Sequence, residues 1–190
     1  MNGTVTAVIV VAVVVVVILA VVALLAARRR RRQQERQEEA RREYGPEYER
    51  AVEERGSEKE AESDLRQRRE QVESEVRPLP EESRRRYAER WEEVERSFVD
   101  DPAGALDGAD RVVAEIMAER NFPTDSREEA SKGLGVLHSD VAEDFRAAQR
   151  VHQEAVGGSD GGTDSGGEDL EKMREAIQEY RSVYERLTAE

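Results

Sequence analysis

The sequence predicts an all-α protein with a single N-terminal transmembrane helix, a charged spacer helix, and an antiparallel bundle of four main helices and one short one. Three observations lead there. Val5–Ala27 is an uncharged run without Pro or Gly. Residues 79–190 carry apolar side chains at the i, i+3, i+4, i+7 spacing of helices with one buried face, between recognisable caps. No stretch shows the period of two that a half-buried strand requires.

The apolar run contains eleven Val, three Leu and two Ile. As a helix it is ~34 Å long at ~1.5 Å per residue, enough for a hydrocarbon core of ~30 Å. Val is β-branched and a modest helix former in water. In lipid an unpaired backbone polar group costs several kcal/mol, so a single span is helical. Its Val, Leu and Ile favour insertion by roughly 5–10 kcal/mol in sum. A cleaved signal peptide fits poorly: the run exceeds an h-region of about 7–15 residues, no basic side chain precedes it, and Leu25-Ala26-Ala27 is not an A-x-A site. Residues 28–42 then hold eight Arg and three Glu, whereas Met1 to Thr4 hold no basic residue. The positive-inside rule places the C-terminal part in the cytoplasm and the N-terminus outside. Arg28-Arg29-Arg30-Arg31-Arg32 can also meet anionic headgroups, at ~1 kcal/mol per basic residue near the surface.

The remaining chain suffices for one small domain and a linker. Its formal net charge is −13 although the segment behind the span is basic, so the rest is strongly acidic. An acidic domain repels phosphate backbones, which argues against nucleic acid as a partner. The absence of Cys excludes disulfides and thiol chemistry and argues against a Cys-based zinc site. Arg far outnumbers Lys, the bias of a high-GC bacterial genome.

Four segments follow from these features: the span 5–27, a basic and polar juxtamembrane segment 28–43, charged spacer helices 44–78, and a bundle domain 79–190 with a flexible loop at 157–167. Tyr44-Gly45-Pro46-Glu47-Tyr48 reads as a turn flanked by two aromatics, with Pro suited to a first helical turn. Ser57 with Glu60 forms a capping box. Glu62/Arg66 and Asp64/Arg68 are i, i+4 pairs. Ala61, Leu65, Val72 and Val76 make a heptad-like stripe interrupted by Arg69, too short for a sustained coiled coil. These residues read as a solvated spacer.

The domain opens at Pro78-Leu79-Pro80. Tyr87, Trp91, Val94 and Phe98 share one helical face. Asp101-Pro102 is an N-cap followed by Pro at the first helical position. The helix it starts carries Leu106, Ala109, Val113, Ile116 and Met117 on one stripe, and Asn121-Phe122-Pro123 ends it. A short helix from about Ser126 is expected to stop at Gly133. Ser139 or Asp140 caps another, with Val141, Phe145, Ala148, His152 and Ala155 inward. The loop GGSDGGTDSGG follows. The last helix aligns Leu170, Met173, Ile177, Tyr180, Tyr184 and Leu187. Trp91, between charged neighbours, is expected to be a core anchor.

The runs RPLPEESRRRYAERW, SFVDDPAGALDGADRVVAEIMAERNFP, VLHSD, FRAAQRVH and EAIQEYRSVYERL, with YGPEYERAV nearer the span, resemble an uncharacterised group of actinobacterial membrane-anchored helical proteins. The likeness covers most of residues 43–190. It implies a real folded unit and carries no activity.

For chemistry, His138 and His152 are the only histidines. A metal would need further ligands such as Asp140 or Glu143, and a core histidine with a loop histidine is the simpler expectation. The Asp160/Asp164 loop lacks the ligand order of an EF-hand. P-loop, G-x-S-x-G and dinucleotide patterns are absent. No catalytic, cofactor-binding or metal residues are therefore assigned. Two readings of function remain: a non-catalytic interaction or scaffold module for a protein partner at the cytoplasmic face of a bacterial membrane, or a small-ligand-binding or hydrolytic domain using His152 and nearby carboxylates.

Overall fold

The computed structural model describes residues 37–157 and 166–189, together with Leu24, Leu25, Arg28, Gln34 and Glu35. Among the described residues the fold is all-helical, and no helix is long and apolar enough to cross a membrane. The expected span lies outside them apart from Leu24 and Leu25. Most of the expected loop at 157–167 lies outside them as well. The chain divides into two units, Met1–Glu43 and Tyr44–Glu190. In the first, residues 37–43 are helical.

The second unit contains α1 (Pro46–Arg55), α2 (Glu58–Glu75), α3 (Glu81–Ser97), α4 (Pro102–Glu119), α5 (Arg127–Leu137), α6 (Ser139–Gly157) and α7 (Gly166–Thr188). Several boundaries follow from capping chemistry. Gly56 ends α1 in the left-handed region, at φ 73°. Ser57 caps α2 by accepting a hydrogen bond from the Glu60 amide at 3.2 Å. Asp101 does the same for Gly104 at 2.9 Å, with Pro102 at the first helical position. At the end of α4, Phe122 N–H donates to Met117 O and Asn121 N–H to Ala118 O, with Asn121 left-handed at φ 63°. That is a Schellman turn with Asn in the position Gly usually takes.

The helix α5 runs past Gly133, contrary to expectation, and ends at His138. Gly133 and Gly135 are needed for close approach instead. A Cβ on Gly133 would lie 2.5 Å from Pro123 Cγ, and one on Gly135 would lie 2.5 Å from Glu47 Cγ. Each glycine costs helix stability relative to Ala, and packing offsets that cost.

Helices α3 and α4 pair antiparallel, as the Arg90–Glu115 and Arg86–Glu119 contacts require. So do α6 and α7, with the Phe145 ring edge-on to Tyr180 at 6.3 Å. Helix α7 also packs on α4. There the two run parallel: Tyr180 meets Asp110, and Arg120 meets the Leu187 carbonyl. With α6 antiparallel to α7, it also runs antiparallel to α4, so the four main helices alternate in direction and the short α5 adds no net reversal. The core stripe of α4 is as expected, with Leu106, Ala109, Val113, Ile116 and Met117 all buried. In α7 the buried face is Ala176, Tyr180, Val183 and Leu187, while Leu170 is exposed and Ile177, Met173 and Tyr184 are half-buried. Phe98, at the end of α3, is half-buried too.

The compact unit begins at Tyr44, ahead of the expected bundle start at 79. Helices α1 and α2 pack on each other and on α5. Tyr44, Tyr48, Ala51, Ala61, Leu65 and Val72 are buried, so the stripe read as heptad-like faces the domain's own core. The α2–α3 link is stitched to the end of α4. Arg77 N–H donates to Arg120 O at 2.9 Å, the buried Arg120 guanidinium returns a bond to Arg77 O at 3.0 Å, and Asn121 Nδ2 donates to Glu75 O.

Candidate functional site

Three arrangements of polar side chains stand out, and they adjoin one another. The first is the seat of Glu47. The turn at Gly45 has φ 52° and ψ −131°, a conformation open to glycine and little else. It directs Pro46 into α1 and sets Glu47 against α5, where Gly135 leaves room for its side chain. Glu47 is 4 % exposed. Its carboxylate pairs with Arg50 at 2.8 Å and with Arg146 of α6. Arg50 and Arg146 also both hold Glu143, the latter at 2.9 Å. This network supplies the hydrogen bonds and opposite charge that offset the cost of burying a carboxyl group.

The second is a polar cluster drawn from four helices. His152 of α6 is 5 % exposed. Arg127 of α5, which can only donate, lies 3.4 Å from its Nδ1. The His152 Nε2 lies 3.3 Å from Asp107 Oδ1 of α4, and its Nδ1 lies 3.8 Å from Asp110 Oδ2. Asp110 of α4 accepts from Arg127 at 3.3 Å and from Tyr180 Oη of α7 at 2.6 Å. Burial and the adjacent Asp110 push the Tyr180 phenol far above its ordinary value, so it is a fixed donor. Both ring nitrogens of His152 are thus engaged within the protein. His138, expected in a loop, is buried at the C-cap of α5 with its ring 6.2 Å from Phe122. The two histidines do not meet as a ligand pair. Asp140 pairs with Arg186, and Glu143 with the arginines already named. Among the described residues no group of three His, Cys, Asp or Glu is placed to hold a metal. Asp160 and Asp164 lie outside the described residues.

The third is a groove of about 310 Å³, bounded by α1 and α2 on one side and α5 and α6 on the other. Ala51 and Leu65 form its apolar part. Its cations are Arg50, Arg68, Arg127, Lys132, Arg146 and Arg150, against the carboxylates of Glu47, Glu54 and Glu128. The surplus of positive charge is local, on a chain of formal charge −13. Lys132 is held between Glu128 at 2.6 Å and Glu54 at 3.3 Å, and its ammonium is stabilised above its ordinary value chiefly by Glu128. Arg68 pairs with Asp64 at 2.9 Å. Nothing in the sequence pattern pointed to this groove, because its walls come from segments about sixty residues or more apart in the chain and hydrophobic periodicity carries no information about that pairing.

No family model, no curated protein and no solved structure matches this chain.

The ion pairs predict a pH response. Glu143 is held below its ordinary 4.5 chiefly by the Arg50 hydrogen bond, Glu115 by that from Arg90, and Glu119 by that from Ser83. A carboxyl depressed in the fold contributes stability above its unfolded value and loses it as pH falls through the lower folded value. Glu179, raised by burial, works the other way, fading as pH rises above 4.5. Glu128 is lowered as well, by Lys132, although its exposure gives that pair little weight. With these depressed groups against one raised, the melting temperature is expected to decline below about pH 4.5. Circular dichroism melts across that range check this. A midpoint that rises on acidification would contradict it.

Proposed function

We propose that the protein is a non-catalytic helical interaction module, tethered by Val5–Ala27 to the cytoplasmic face of a bacterial membrane, that binds a protein partner in the groove between α1/α2 and α5/α6. The observation that carries this reading is the groove, an open concavity of about 310 Å³ whose charge is opposite in sign to the chain's. Engagement of both His152 nitrogens within the protein supports a structural clamp at that position over a hydrolytic base. The tether rests on the length and apolarity of the run, and its orientation on the Arg that follow it.

Two experiments test the reading. A phosphatase fused to the C-terminus is expected to be inactive, as it is in the cytoplasm; an active fusion would place the domain on the other side. A photo-crosslinking residue at Gln153, in the groove wall, is expected to capture a partner in cells, whereas one at the exposed Glu82 of α3 captures none. Equal yields at both positions would contradict the assignment of the groove.

A further inference from the structure

The groove's cations are not gathered at one point. Arg50 and Arg146 share Glu47 and Glu143 at one place. Lys132 is held by Glu54 and Glu128 at another. Arg127 has only long contacts, 3.3 Å to Asp110 and 3.4 Å to His152. Arg150 makes no ion pair among the described residues. Each cation thus already meets polar groups of the chain itself, Arg150 through the field of Glu179 on α7. Two of the chain's carboxylates line the groove and are loosely held: the side chains of Glu54 and Glu128 are 45 % and 71 % exposed. An exposed pair contributes little net stability, since its attraction is screened and ordering both chains costs entropy. Its carboxylate is therefore replaceable by one from outside at small cost.

We infer that the groove takes an acidic peptide segment of the partner, whose Glu or Asp side chains displace Glu54 and Glu128 from Lys132 and also engage Arg127 and Arg150. This rests on the reading of the groove as a partner site. A single small anion meets one of the cation positions, whereas a segment bearing several carboxylates can meet cations on both α5 and α6. Arginine forks suit carboxylates because two parallel N–H donors meet two oxygens. The chain's overall negative charge does not forbid this, because at physiological salt charges farther than about 8 Å are largely screened and local cations dominate. Ala51 and Leu65 offer contact to the stems of such side chains.

The test uses the full chain in nanodiscs of zwitterionic lipid, so that no anionic headgroup competes. The probe is a fluorescein-labelled Glu/Ser-repeat peptide, with a Gln/Ser repeat as its control. Anisotropy is expected to show saturable binding of the Glu peptide, weakened by added salt and absent for the Gln peptide. The double variant Lys132→Gln with Arg150→Gln should bind about tenfold more weakly, and Arg150→Gln alone, at an exposed position, should weaken binding in the same direction with the parent's circular dichroism melt. Arg111→Gln with Arg174→Gln removes the same charge from exposed positions outside the groove and should bind as the parent does. Equal binding of both peptides, or equal loss in both double variants, overturns the inference. So does saturable binding of pyrophosphate without binding of the peptide, which would assign the groove to a small phosphate ligand. Capture of a partner at Gln153 together with no preference for the Glu peptide would sink this inference and leave the interaction module standing. Absence of capture would sink the module itself.

Discussion

Replacing Trp91 by alanine is expected to destabilise the domain by ~3–5 kcal/mol, the range for truncating a buried large aromatic. Trp91 is 4 % exposed and lies on the inner face of α3 beside Tyr87 and Val94. Its indole stacks on the Tyr184 ring of α7 with centroids 4.7 Å apart and planes 11° from parallel. Its Nε1–H donates to Glu95 at 3.0 Å, so the one polar atom is satisfied. The substitution thus removes a large buried surface, opens a cavity and strands the face of Tyr184. Against a total stability of ~5–15 kcal/mol for a domain of this kind, the loss is a large fraction. Chemical denaturation of the variant against the parent checks it, with Trp91→Phe expected to recover part of the loss by keeping a ring on Tyr184. An unchanged midpoint and slope in Trp91→Ala, accompanied by loss of partner capture, would make this face the functional one.

Glu47→Ala is the second large effect, expected at roughly 2–4 kcal/mol. Hydrogen bonds to charged groups are worth about 1.5–3 kcal/mol each, and removing one member of a buried ion pair leaves the other uncompensated. The Arg146 side chain, 16 % exposed, would keep only the half-exposed Glu143. The space opposite Gly135 would open, since the Glu47 side chain supplies the three atoms nearest the position of that missing Cβ. Glu47→Gln keeps the shape but not the charge, and is expected to fall between parent and alanine variant. Thermal melts of the three proteins check the order. If Glu47→Gln proved at least as stable as the parent, the charge would be a burden and the seat merely steric.

Much of the bundle was legible because its physics is local. The stripe from Leu106 to Met117 repeats at helical spacing, and Ser57, Asp101 and Ser126 cap the helices that follow them. Trp91 was legible for the same reason, with charged neighbours leaving it a single apolar direction. Where pairing across the chain decides, the sequence reading went wrong. Gly133 looked like a helix end, yet it marks where Pro123 crosses. Helices α1 and α2 looked solvated because charged residues dominate their composition. Their burial rests on a narrow stripe of Tyr48, Ala51, Ala61 and Leu65, in which two small residues admit close approach rather than supply hydrophobicity. Glu47 was indistinguishable from its many acidic neighbours until Gly135 and Arg146 were brought to it. The groove depends on the same pairing, so it could not be found before α1 and α2 were placed against α5 and α6.

That placement is the central claim: Tyr44–Glu190 is one cooperative unit, and the helices nearest the expected tether form one wall of the site. Amide hydrogen exchange on the full chain tests it most directly, because protection reports which segments open together. The account predicts that the interiors of α1 and α2, around Tyr48 and Leu65, exchange with protection comparable to that of α6 and lose it together in Glu47→Ala. Fast exchange throughout residues 46–75, with α3 to α7 fully protected, would contradict it and return those helices to the role of a spacer.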